Sequence, residues 1–97
     1  MQSLEEISRI LSIMDKKEIT DFFKELLTSS EIRTLSKRWQ VVKMLATTEC
    51  TQREVARSLH VSLCIVTHGA KILKIPNATV KRYIKGDMYG IKHSTNN

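Results

Sequence analysis

Between residues 52 and 71 the sequence carries side chains suited to contacting double-stranded DNA. Gln52 and Arg53 open one predicted helix, and a second predicted helix presents small or apolar side chains to the outside. These outward positions are Leu63, Ile65 and Thr67. Methyl groups can contact thymine in the major groove, hydroxyls can reach phosphates or base edges, and an arginine can fork onto guanine. The pattern therefore predicts a surface that reads DNA.

Side chains of this kind must be held by two helices that cross closely, and residues 52–71 fit a helix-turn-helix. Ala56 is small enough to let the helices approach. The turn is predicted at His60-Val61-Ser62, where the Val61 side chain packs into the turn and Ser62 caps the second helix. Glycine is usual in this turn because a positive φ is needed, and His60 takes its place. A two-helix corner of an unrelated bundle is the alternative interpretation.

The charge of the chain is distributed unevenly. The 97 residues carry a net charge of +6. Residues 1–50 hold eight basic and eight acidic residues, whereas residues 51–97 hold eight basic and two acidic residues. The whole excess lies in the half that contains the predicted helix-turn-helix, as expected for a protein that binds a polyanion. A merely solvated basic surface is the alternative.

Four segments open with a short oxygen-bearing side chain followed three residues later by glutamate, which is the signature of a capping box. These pairs are Ser3–Glu6, Asp15–Glu18, Thr28–Glu31 and Thr51–Glu54. Each precedes a run of apolar residues at helical spacing, and no segment alternates long enough to predict a strand. The sequence therefore predicts an all-α fold of about six helices.

The longest predicted helix covers residues 30–46, with Trp39 as a core anchor in its apolar stripe, and the last covers residues 78–85. We expect one domain over residues 1–85 and a disordered tail over residues 86–97, which has little to bury. A chain this short buries only about two-thirds of its surface, so a second copy would add to the core.

His60, Cys64 and His68 follow one another at intervals of four residues, a spacing compatible with zinc. A structural zinc site usually takes four ligands, and Cys50 would have to supply the fourth. A cysteine nucleophile paired with His68 would lack an orienting acid and an oxyanion hole. We therefore expect no metal site, no catalytic residue and no enzyme activity.

The cysteine content and the N-terminus predict a cytoplasmic protein. Two cysteines do not make a disulfide framework, and no basic segment followed by an apolar one precedes the predicted helices. The apolar stretches are interrupted by charge, so no membrane span is predicted.

Several segments together resemble the tryptophan repressor family. They are Leu26-Leu27-Thr28, Arg38, Gln52-Arg53-Glu54 and the run from Val66 to Lys74. The similarity runs without an evident gap from about Phe22 to Lys74, and the spacing between its parts makes it specific. The resemblance implies an intertwined all-helical homodimer that represses transcription at an operator. It also implies that L-tryptophan, as corepressor, orients the two helix-turn-helix motifs of the dimer on the DNA.

The resemblance also assigns a ligand site. Arg38 matches the arginine that packs on the indole and reaches the ligand carboxylate, and Leu27 and Thr28 match the segment that holds the amino and carboxylate groups. Gly69 matches the glycine that leaves room for the ligand. For DNA, the matching contact positions are Gln52, Arg53, Thr67 and Lys74, and the recognition positions are Leu63, Cys64 and Ile65.

Two positions of the ligand site depart from the family pattern. His68 stands in place of a second arginine, so it can stack but lacks a forked donor. Ile72 stands in place of a serine that meets the polar end of the ligand. Each change is expected to weaken L-tryptophan binding by about 1–3 kcal/mol. A DNA-binding regulator with another ligand or none, and a small helical protein-interaction module, are the alternatives.

Overall fold

The computed structural model describes residues 2–86, and every regular element within them is helical. The helices are α1 (Gln2–Leu11), α2 (Lys16–Leu26), α3 (Ser29–Thr47), α4 (Gln52–Leu59), α5 (Leu63–Lys74) and α6 (residues 79–86). The predicted all-α class with about six helices is confirmed for the described part of the chain. The predicted disordered tail began at Gly86, and that boundary was wrong because Gly86 is the last residue of α6. The rest of the predicted tail, residues 87–97, lies outside the described residues. In residues 2–86 none of the helices combines the length and the apolar character that crossing a membrane requires.

Three of the four predicted capping boxes are formed. The Asp15, Thr28 and Thr51 side chains accept hydrogen bonds from the backbone N–H groups of Glu18, Glu31 and Glu54 at 2.8, 3.1 and 3.2 Å. The glutamate side chains accept in return from the capping residues' N–H groups. The prediction at Ser3–Glu6 was wrong, because α1 begins at Gln2 and Ser3 lies inside the helix.

The described chain divides into two compact units, the first ending at Thr34 and the second beginning at Leu35. The first unit contains α1, α2 and the start of α3, and none of its described residues is buried. Phe22 and Phe23 pack edge to face, with their ring centroids 6.0 Å apart. Its exposed large apolar side chains are Leu4, Ile10, Ile13 and Leu26. Taken by itself, this unit encloses no core.

The second unit is built around three valines. Val41 of α3, Val55 of α4 and Val66 of α5 are each 0% exposed and form one buried cluster. Half-buried side chains pack against this cluster, namely Met44, Leu45, Ala56, Leu59, Val61 and Ile65. Burying apolar area in this way stabilises the three-helix arrangement by roughly 25 cal/mol per Å² removed from water. The cluster fixes α4 and α5 against α3.

A sharp turn joins α4 to α5, and we call these two helices with their turn the α4–α5 pair. His60 ends α4 in the left-handed region, with φ 55° and ψ 48°. The N–H of Val61 donates to the Ala56 carbonyl at 3.1 Å, and the Ser62 hydroxyl accepts from the N–H of Ile65 at 3.3 Å. Ser62 therefore caps α5 as predicted, and His60 occupies the backbone conformation for which glycine is usual.

Replacing His60 by glycine is expected to raise the free energy of unfolding by about 0.5–1 kcal/mol, because glycine adopts positive φ without steric cost. Urea denaturation of the full chain would measure the change. Ser58→Gly is the matched control, since it places the same residue in a helical position of α4, where glycine lowers stability. Destabilisation by both substitutions would contradict the expectation.

Candidate functional site

An apolar pocket lies within the second unit, between α3, α5 and α6. Its volume is about 190 Å³. It is lined by Leu35, Arg38, Trp39, Val42, Ile65, His68, Gly69, Ile72 and Val80. We refer to it as the apolar pocket. It brings together four of the residues predicted for the ligand site: Arg38, His68, Gly69 and Ile72.

Helical periodicity places these residues at the pocket. The α3 residues fall at positions 35, 38, 39 and 42, and the α5 residues fall at positions 65, 68, 69 and 72. Both sets follow the spacing i, i+3, i+4, i+7, which defines one face of a helix. The pocket is therefore a slot between one face of α3 and one face of α5.

Gly69 determines how closely these two helices approach. A Cβ atom built on Gly69 would lie 2.8 Å from Cγ1 of Val41 and 3.4 Å from Cγ2 of Val42. The space that a side chain would need is thus already taken by α3. The resemblance assigned Gly69 to making room for a ligand, and the structure adds that it makes room for Val41.

Two of the residues that line the pocket have polar side chains. Arg38 and His68 are both exposed side chains at its edge. Within residues 2–86, no carboxylate lies within 4.0 Å of the Arg38 guanidinium. The remaining seven lining residues are apolar or aromatic. The arrangement suits a flat apolar ring in the slot with an anionic group beside the guanidinium, which presents donors in a planar fork.

Leu27 and Thr28 belong to the first unit, whereas the residues that line the pocket belong to the second. Leu27 ends α2, where its N–H donates to the Phe23 carbonyl at 2.9 Å. Thr28 caps α3 through its hydroxyl. Both residues therefore have a local structural role, and their predicted contact with a ligand stays a prediction.

Sequence reasoning missed the apolar walls of the pocket. Leu35, Trp39, Val42 and Val80 were not among the predicted ligand residues, and they make up much of its lining. Trp39 was predicted to be a core anchor of an interlocked homodimer; it is 43% exposed in the single chain, and its place in such a core stays a prediction. Its spacing from Arg38 on α3 was the signal that could have placed it at the site.

The outer face of α5 forms a second, open groove of about 330 Å³. It is lined by Leu63, Cys64, Thr67, His68 and Lys71, and we refer to it as the α5 groove. All five side chains are exposed. The Thr67 hydroxyl donates to Oε1 of Gln52 at 3.4 Å, which links the start of α4 to this face. His68 lines both the α5 groove and the apolar pocket.

The predicted DNA-contacting residues are exposed, with one exception. Gln52, Arg53, Leu63, Cys64, Thr67 and Lys74 are all exposed. Ile65 is half buried, packs against the valine cluster and lines the apolar pocket. It was predicted to lie outside the core of the single chain, and that prediction was wrong because Ile65 lies on the face of α5 that lines the apolar pocket and contacts the valine cluster. Its predicted contact with DNA stays a prediction.

The surface around α4 and α5 is strongly basic. Residues 51–86 contain seven lysines and arginines and one acidic residue, Glu54. The backbone N–H of Thr51 donates to the Glu54 carboxylate at 2.8 Å and is the main cause that holds the pKa of Glu54 below its usual value. The Thr51 hydroxyl and, to a smaller extent, the Arg57 charge lower this pKa further. The Glu54 carboxylate therefore stabilises the N-terminus of α4.

The histidine and cysteine residues do not converge. In the described range, no three His, Cys, Asp or Glu side chains are placed so that they could hold a metal ion. Cys50 and Cys64 are both free and exposed. The zinc-compatible spacing of His60, Cys64 and His68 therefore has no matching geometry in residues 2–86.

Comparison with known proteins identifies a family and several relatives. The sequence profile of the family described as "Trp repressor protein" matches residues 2–87. A "Trp operon repressor homolog" of Chlamydia caviae is 34% identical over 65 residues, which cover 67% of this chain and 64% of that protein. One of Chlamydia trachomatis serovar D is 29% identical over 73 residues, covering 75% and 78% of the two chains. No solved structure matches.

Proposed function

The chain belongs to the Trp repressor family, and from that premise we propose that it is a DNA-binding transcriptional repressor. It would act as a homodimer on operator DNA, with L-tryptophan as the corepressor. The observation that carries the proposal is the position of α5, which has an exposed groove on one face and the apolar pocket on another. A ligand and DNA could therefore act on the same helix.

The α4–α5 pair is the proposed helix-turn-helix. Its exposed side chains at Leu63, Cys64 and Thr67 would contact base edges in the major groove, and Arg53 would fork onto a guanine. Gln52 and Lys74 would contact phosphates or base edges nearby. The excess of seven cations over one carboxylate in residues 51–86 supports this assignment, because phosphate contacts supply much of the affinity for DNA.

The apolar pocket is the proposed corepressor site. An aromatic ring held between Arg38 and His68 would press on the inner face of α5 and thereby set its orientation. Such a ligand favours DNA binding only if it binds the DNA-competent arrangement better than the relaxed one, and DNA then tightens ligand binding by the same factor. Leu27 and Thr28 are proposed to hold its polar groups in the assembled homodimer.

Exposed apolar surface supports the homodimer. Leu4, Ile10, Ile13 and Leu26 of the first unit are exposed, and so are Leu35 and Trp39 of α3. Short chains gain stability by burying such surface against a second copy. A homodimer would also present two α4–α5 pairs, which suits an operator with two half-sites.

The salt dependence of DNA binding tests the proposed function. Fluorescence anisotropy with labelled double-stranded DNA is expected to give an affinity that falls steeply between about 50 and 200 mM salt, because neutralised phosphates release counterions. A protein-interaction module predicts no such affinity.

Arg53→Ala is expected to cost about 1–3 kcal/mol of specific DNA affinity at an operator, because it removes a contact to a base. Arg9→Ala is the control, since Arg9 is an exposed cation of α1 outside the α4–α5 pair. If Arg53→Ala bound its operator as tightly as the unchanged protein, the placement of the DNA-reading surface would be wrong.

A further inference from the structure

We propose that α6 carries a second DNA-contacting surface, which binds phosphates of the same duplex that the α4–α5 pair reads. This α6 basic surface consists of Lys81, Arg82 and Lys85. The inference rests on the proposed function, since it adds a surface for the same partner. Contacts to the sugar-phosphate backbone add affinity and fix orientation, but they carry no sequence preference.

The cations at the end of α5 and in α6 have no carboxylates among them. Residues 71–86 hold five lysines and arginines and no aspartate or glutamate. In α2, by contrast, three lysines alternate with three acidic residues, and Lys17 pairs with Asp21 at 2.9 Å. Within residues 2–86, no carboxylate lies within 4.0 Å of a cation of the α6 basic surface. A surface that serves solubility alone mixes the two signs, as α2 does, whereas a surface of one sign attracts a polyanion.

The packing of α6 turns its cations toward solvent. Ile84 is 2% exposed, and Val80 lines the apolar pocket. These two residues are four positions apart and therefore share one face of the helix. Arg82 and Lys85 lie on the opposite face, at about 100° per residue, and both are exposed. Burial of one face of α6 thus presents two cations on the other.

The α6 basic surface continues the cations of α5. Lys71 lines the α5 groove, and Lys74 follows it as an exposed residue in the last turn of α5. The amine of Lys81 donates to the Leu73 carbonyl at 3.5 Å, which joins α6 to that same turn. Cations therefore extend from the proposed DNA-reading helix onto α6. Since a duplex carries one charge per about 1.7 Å of its axis, such a strip can contact several phosphates at once.

The chemistry of the exposed side chains fits the phosphodiester backbone. Lysine, arginine and tyrosine all donate hydrogen bonds to phosphate oxygens. Tyr83 is 67% exposed beside Arg82, so its hydroxyl is free to donate as well. The α6 basic surface and the α4–α5 pair belong to the same compact unit. One duplex is therefore the partner that would engage both surfaces.

The double variant Arg82→Gln/Lys85→Gln tests the inference in the full-length protein. Fluorescence anisotropy would measure its affinity for a labelled duplex of mixed sequence and about 30 base pairs, which exceeds two half-sites one helical turn apart. Each phosphate contact contributes about 0.9 to the slope of log K against log salt, so losing two contacts per chain should reduce that slope by about 2 or more. Affinity at about 100 mM salt is expected to fall about tenfold or more.

Two further double variants make the test specific. Lys16→Gln/Lys24→Gln removes two exposed cations of α2 and lowers the net charge by the same amount, so it should change the slope far less. Arg82→Lys/Lys85→Arg keeps both charges and should keep the slope, because phosphate accepts hydrogen bonds from either side chain. Urea denaturation should show unchanged stability for all three, since the replaced side chains are exposed.

An unchanged slope in Arg82→Gln/Lys85→Gln would overturn the inference, and the α6 basic surface would then fit an acidic protein. Equal losses in the α2 and α6 variants would also overturn it, because total charge would explain both. If Arg53→Ala weakened operator binding while Arg82→Gln/Lys85→Gln did not weaken DNA binding, the proposed function would stand and only this inference would fail. If the unchanged protein showed no salt-dependent binding of DNA, both would fail.

Discussion

Replacing Gly69 by valine is expected to lower the free energy of unfolding by about 3 kcal/mol or more. The first atom of any side chain at this position would lie 2.8 Å from Cγ1 of Val41, which is 0% exposed. Valine adds two methyl groups to that clash. Equilibrium urea denaturation of the full chain, followed by circular dichroism, would measure the loss.

A double-mutant cycle would assign this loss to the contact between α3 and α5. Gly69→Ala alone is expected to lower the free energy of unfolding by about 1–2 kcal/mol, since the clash with Val41 outweighs the gain in helix propensity from alanine. In a Val41→Ala background the same change should leave the free energy of unfolding unchanged, which corresponds to an interaction energy of about 1–2 kcal/mol. Gly86→Ala is the control, because within residues 2–86 a Cβ there has no atom within 4 Å apart from its chain neighbours and the backbone of its own helix. Additive effects of the two changes would refute the role given to Gly69.

Arg38→Ala is expected to weaken binding of L-tryptophan by about 10- to 100-fold, because a charged hydrogen bond is worth about 1.5–3 kcal/mol. Stability should change little, because Arg38 is exposed. Calorimetric titration of each variant would measure the affinities.

Two further variants make the Arg38 experiment specific. Arg38→Lys keeps the charge but loses the planar fork, so it should recover only part of the affinity. Lys43→Ala removes an exposed cation of the same helix that does not line the pocket, and it should leave ligand affinity unchanged. If Arg38→Ala bound L-tryptophan as tightly as the unchanged protein, the carboxylate would have to be held elsewhere.

Local sequence signals predicted the helices well because the interactions that start a helix are local. Thr51 and Glu54, three residues apart, formed the capping box that their types predict. The predicted helix over residues 30–46 is close to the observed Ser29–Thr47. The capping box predicted at Ser3–Glu6 did not form because α1 begins at Gln2. A serine–glutamate pair alone does not determine which residue begins the helix.

The site was harder to predict because periodicity reports a helix face and not what lies opposite that face. Trp39 and Val42 share the apolar stripe of α3, yet Val42 is buried and Trp39 is half exposed at the pocket. Ile65 was assigned to the outer face because the sequence pattern fixes the rotation of α5 about its own axis only to within about one residue. Arg38 and His68 were identified through resemblance alone, since no local rule brings together residues 30 positions apart in the chain.

Trp39 is the single tryptophan of the sequence, and its half-exposed indole forms one wall of the apolar pocket. An indole that contacts water emits at longer wavelength than one covered by hydrocarbon. The protein therefore carries its own optical reporter at the place where a ligand would enter. Indolic ligands would mask its emission with their own, whereas a phenyl-substituted acid would leave it as the one strongly emitting group and make occupancy of the slot directly visible.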